Sequence, residues 1–110
     1  QWYMDYPAAS NFLNVLLSCA SFTPGSDSSV NMSGYCNKDL DATMKDAMTL
    51  ALTDQNAANA KWAEADKGFM EQAPMAPLFT PKSVNFTSAR LGNYLFNKQN
   101  RWIISQSWVQ

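Results

Sequence analysis

Histidine is absent from all 110 residues. Its absence removes every Ser-His-Asp and Cys-His catalytic arrangement. It also means that Cys19 and Cys36, the two cysteines, cannot be half of a Cys/His zinc site. Charge is scarce: 15% of residues are charged, eight basic against nine acidic, for a formal net charge of −1. The basic residues are scattered, so no electrostatic footprint for nucleic acid forms and no basic amphipathic helix appears. Apolar runs last only a few residues, too short to span a bilayer as a helix. The four glycines are isolated, and no GxxxxGK[ST] or GxGxxG loop is present. Paired acids are also missing in any useful sense. Asp39 and Asp41 read as acids that offset a helix macrodipole, and Glu64 and Asp66 do not face one another at helical spacing. The chain therefore reads as non-catalytic, with no metal and no cofactor.

What is present is a globular composition, 46% hydrophobic and 13% aromatic, in a length that suits one domain with a real core. The chain starts at Gln1 without a leader pattern, which reads as a processed end, a proteolytic end or an internal point of a longer protein. Trp2, Tyr3, Met4 and Tyr6 surround a single carboxylate, Asp5, whose nearest acidic neighbour in sequence is Asp27. On the local pattern alone, Asp5 is a structural acid before it is a functional one. Residues 1–6 read as a short strand stopped by Pro7. Ser10 or Asn11 is expected to cap a short helix whose residues Phe12, Leu13, Val15, Leu16 and Leu17 are apolar nearly all round and should be well buried.

Residues 20–35 are a loop punctuated by Pro24-Gly25 and Ser33-Gly34. A Cys19–Cys36 disulfide closing it is preferred to two free thiols. The chain-entropy model assigns such a loop about 3 kcal/mol, and the bond would imply an oxidising compartment. Asn37 should cap a helix to about Leu52, with Leu40, Met44, Ala47, Met48 and Ala51 as its stripe. Asp54 should cap a second helix to about Gln72, with Ala58, Trp62, Ala65, Phe69 and Ala73 on one face. Pro74 and Pro77 then end an antiparallel helical hairpin. From there short strands are expected at 78–80, 84–87, 91–96 and 102–109, confined by proline to edges or short pairings. The fold class is thus α+β, and these strands look like ones whose partners come from elsewhere. Asn31-Met32-Ser33 and Asn85-Phe86-Thr87 match the glycosylation sequon.

The ordered series Trp2-Tyr3-Met4-Asp5-Tyr6-Pro7, Asn11-Phe12-Leu13, Leu17-Ser18-Cys19, Tyr35-Cys36-Asn37, Trp62-Ala63-Glu64-Ala65-Asp66, Gln72-Ala73-Pro74-Met75-Ala76-Pro77-Leu78-Phe79, Arg90-Leu91-Gly92-Asn93-Tyr94 and Gln106-Ser107-Trp108-Val109 resembles the C-terminal segment of the family 5 extracytoplasmic solute-binding proteins. These are the dipeptide and oligopeptide receptors of ABC importers. The resemblance implies that residues 1–110 are a single partial domain, a C-terminal portion of a two-lobed periplasmic-binding-protein-like (type II) fold. It implies capture of a peptide or similar small solute between two lobes. Partners would be the rest of the receptor chain and, through the intact receptor, an ABC permease. The location would be extracytoplasmic, with a lipid anchor on the full-length protein.

By the same resemblance, Asp5 matches the acid that pairs with a ligand's α-ammonium. Trp2 and Tyr3 stand on the pocket wall, and Cys19–Cys36 matches a disulfide of related receptors. The sequence departs from the family at Pro7-Ala8-Ala9-Ser10, which leaves the ligand open among peptides, nickel complexes and sugars. The reading from a different class is a free-standing secreted interaction module with one disulfide. A fragment whose strands lack partners is also expected to self-associate.

Overall fold

The computed structural model describes residues 2–97 and 101–110. It is α+β: helices, then short antiparallel strand pairs. The contacts divide into two units, Gln1–Ala76 and Pro77–Gln110.

In the first unit, α1 (Leu13–Leu17), α2 (Lys38–Leu50) and α3 (Gln55–Gln72) follow one another, with 3₁₀ turns at Ala9–Asn11 and Cys19–Ser21. α2 starts where Asn37 Oδ1 accepts the Asp39 and Leu40 N–H groups at 2.9 and 3.2 Å. Asp54 does the same for α3, accepting from Asn56 and Ala57 at 3.0 Å each. Both caps satisfy donors that a helix start leaves without a partner. The two helices are joined through a tight turn in which the Asp54 N–H donates to Leu50 O at 2.7 Å. α3 ends at Ala73, in the left-handed region at φ 48°, with its N–H donating back to Phe69 O. Pro74 follows and cannot continue the helix.

The core is small and lies between these helices. Leu17, Met44, Ala47, Trp62, Ala65 and Phe69 form it, with Leu13, Leu16, Tyr35 and Leu40 packed against it. Tyr35 meets Phe69 edge to face at 5.9 Å. Alanine and glycine at the contact let α2 and α3 approach closely: a methyl on Gly68 would stand 2.5 Å from Leu40 Cδ2.

The expected helical hairpin is present within two residues of its expected ends. Two other expectations at this end are corrected. Residues 2–6 form no strand, because the Asp5 N–H is taken by the Asn11 side chain instead of a neighbouring strand; Gln1 lies outside the described residues. α1 has no side-chain cap, and of its apolar set only Leu17 is buried while Phe12 is 40% exposed.

The loop between the cysteines is ordered from within. Cys19 and Cys36 are bonded with their Cα atoms 4.5 Å apart. Asn31, fully buried, donates from Nδ2 to Ser18 O and Tyr35 O at 3.1 and 2.8 Å and accepts from Ser33 Oγ at 2.8 Å. Its nitrogen is thus committed to structure, and the Asn31 sequon is closed to glycosylation in the folded state. Asp41 does more than offset the α2 dipole. Its carboxylate accepts the Cys19 N–H at 3.3 and 3.1 Å, tying the disulfide to the first turn of α2.

In the second unit, β1 (Leu91–Gly92) pairs antiparallel with β4 (Trp108–Val109), Leu91 opposite Val109. β2 (Phe96–Asn97) pairs with β3 (Arg101–Trp102), Phe96 opposite Trp102. Between β3 and β4 is a 3₁₀ turn, Ile104–Gln106. Gly92 lets the Trp108 indole lie over it: a Cβ there would clash with that ring unless the ring moved. The expected strands at 78–80 and 84–87 do not form. Pro77 and Pro81 remove ladder donors from this stretch, and Leu78, Phe79, Val84 and Phe86 stand exposed along it.

Candidate functional site

Within the segment from Trp2 to Asn11, the Asn11 side chain bonds two of the residues singled out from the sequence. Asn11 sits in the 3₁₀ turn before α1 and is buried, with 1% of its surface exposed. Its Oδ1 accepts the Asp5 backbone N–H at 2.9 Å and lies 3.4 Å from Trp2 Nε1. Its Nδ2 donates to Asp5 Oδ2 at 3.1 Å. One amide therefore joins the Asp5 backbone, the Asp5 carboxylate and the Trp2 indole. Pro7 and the Ala8 N–H to Tyr6 O bond, 2.9 Å, turn the chain back so that Asn11 can reach residues six and nine positions earlier.

Trp2 has a second environment. With Leu16, Val30, Met32 and Met75 it lines a hollow of about 360 Å³ whose polar members are Asp27, Ser28 and Ser29. This apolar hollow is built from α1, the disulfide loop and the segment after α3. Methionine side chains on such a wall adapt to different occupants. Asp5 is solvent-exposed.

Of the three residues singled out from the sequence, Trp2 and Asp5 are brought together through Asn11. Tyr3 is exposed on the same segment, at 59%. Asn11 itself was missed, because an Asn ahead of an apolar run reads as a helix cap. The hollow's wall from the 27–32 loop was missed too, since nothing in a Ser-rich loop signals which face it turns inward. A larger concavity, about 740 Å³, lies among Val84, Phe86, Arg90, Tyr94, Trp102 and neighbours in the second unit. It carries no acid, and Arg90 Nε already donates to Gln110 O at 2.9 Å. The site built around Asp5 is therefore the better candidate for recognising a cation. Among the described residues no three His, Cys, Asp or Glu side chains gather to hold a metal, and no helix is long and apolar enough to cross a membrane.

The chain is similar to di/tripeptide-binding protein 4 of Pseudomonas aeruginosa, 34% identical over 97 residues, which is 87% of this chain and 17% of that protein. It thus spans about a sixth of the length of the curated relative it matches. No protein-family profile matches it, and no solved structure does.

Proposed function

We propose that this chain is a C-terminal portion of an extracytoplasmic solute-binding protein of the family 5 type. Residues 1–110 would be part of one domain of that longer protein. Its role is non-catalytic capture of a short peptide for an ABC importer, with Asp5 receiving the peptide's α-ammonium and Trp2 and Tyr3 walling the site. The observation that carries this reading is the similarity to a di/tripeptide-binding protein along 87% of the chain. The Asp5–Asn11–Trp2 arrangement supports it from the side of chemistry. A carboxylate beside an indole suits an ammonium: the ion pair gains about 4 kcal/mol at contact for an effective dielectric of 20, and the ring adds cation–π attraction. The peptide backbone can add its own hydrogen bonds regardless of side chains. The Cys19–Cys36 bond fits an oxidising, extracytoplasmic setting. A lipid anchor and a permease partner belong to the full-length receptor in this reading.

The test is calorimetry of the full-length protein with trialanine and with N-acetyltrialanine. Trialanine should bind, and acetylation, which removes the positive charge and adds an acetyl group at the same nitrogen, should abolish measurable binding. Equal affinities for the two would remove the α-ammonium from recognition.

A further inference from the structure

A buried amide is tolerated only where its hydrogen bonds are met, and those of Asn11 are met largely by the candidate site. Its orientation is unambiguous. Two N–H groups, from the Asp5 backbone and Trp2, aim at Oδ1, and a carboxylate oxygen faces Nδ2. Turning the amide over would set donors against donors and an oxygen against a carboxylate. We infer that Asn11 is the positioning residue of the ligand anchor, fixing the Asp5 carboxylate and the Trp2 indole in the relative placement that receives a peptide's α-ammonium. The inference rests on the reading of Asp5 as that anchor.

Other side chains do not serve. Aspartate keeps the acceptor but sets a second carboxylate against Asp5. Serine is too short to bridge both, and alanine removes both bonds that Asn11 gives Asp5. The segment from Trp2 to Tyr6 belongs to no strand, so no backbone ladder takes over when the amide is lost. The cost then falls on preorganisation of the site.

The proposal predicts coupling, which a purely structural role does not. Trialanine affinity is measured by calorimetry on the full-length protein for Asp5→Asn, Asn11→Ala and the double variant, with near-UV circular dichroism as the check on folding. Asp5→Asn should lose about 100-fold. Asn11→Ala should lose about tenfold, the low end of what removing an orienting partner costs at a metal ligand. In the Asp5→Asn background, Asn11→Ala should cost less than about twofold more. Losses that multiply independently, or no loss for Asn11→Ala, overturn the positioning role while the reading of Asp5 stands. Wild-type affinity for Asp5→Asn overturns both.

If Asn11→Ala does not fold, the wild-type protein labelled with ¹⁵N-asparagine answers the same question. Trialanine should shift the Asn11 side-chain amide, which bonds the carboxylate it binds, and N-acetyltrialanine should not. An amide unmoved by saturating trialanine overturns the proposal.

Discussion

Phe69 and Asn11 show the two ways in which single residues hold the first unit together. Phe69 is fully buried at the centre of the helical core and meets Tyr35 edge to face. Phe69→Ala should cost about 3–5 kcal/mol, read by urea denaturation followed through tryptophan fluorescence. A loss under about 1 kcal/mol would mean that the site collapses around the gap. This residue was legible in the sequence, because Ala58, Trp62, Ala65 and Phe69 recur at helical spacing and are the buried residues of α3. Asn11 was not, because its role depends on where Pro7 and the following 3₁₀ turn send the chain. No periodicity reports that a polar side chain will fold back onto residues two and five. Asn31 teaches the same lesson: three letters suggest a surface sequon, and the fold spends that amide on Ser18 O and Tyr35 O.

Among the elements, the helical hairpin was readable because its signals are local: Asn37 and Asp54 cap it, and its buried residues, Met44 and Ala47 on α2 and Ala58, Trp62, Ala65 and Phe69 on α3, fall on the expected stripes, whereas Met48, Ala51 and Ala73, expected there too, are exposed. The strands were not. A two-residue strand such as β1 is defined by its partner, β4, almost twenty residues away, and not by its own composition. Residues 78–80 and 84–87 have strand-like composition without a pairing partner among the described residues. Two predictions belong at this scale. Reducing the Cys19–Cys36 bond should lower stability by about 3 kcal/mol, seen as a lower melting temperature with dithiothreitol. An unchanged melting temperature would mean that the Asn31 network and the Asp41 bond to Cys19 hold the loop without the crosslink. At the end of α3, Ala73 occupies a left-handed conformation at φ 48°, which costs an L-residue about 1–2 kcal/mol. Ala73→Gly relieves this at the expense of unfolded-state entropy, so a net gain of about 0.5 kcal/mol is expected, and a fall in melting temperature would contradict it.

For the molecule as a whole, the two units differ in how much they bury. Among the described residues the buried core lies in Gln1–Ala76, whereas Leu78, Phe79, Val84 and Phe86 are exposed in Pro77–Gln110. Side chains of this kind in contiguous sequence seek cover. In the proposed receptor the rest of the chain supplies it; in the isolated 110 residues another copy can. Light scattering should therefore show association that grows with concentration and is relieved by replacing Leu78, Phe79 and Phe86 with serine; a monomer at all concentrations would contradict this. The proposed function makes this chain the anion-bearing wall of a peptide site in a longer protein. Its most direct test is the trialanine affinity of full-length Asp5→Asn, a change that keeps size and removes only the charge. With the ion pair enclosed in the full-length receptor, losing one member costs about 3 kcal/mol or more, so an affinity lowered by about two orders of magnitude is expected, with the melting temperature held. Wild-type affinity in that variant would contradict it.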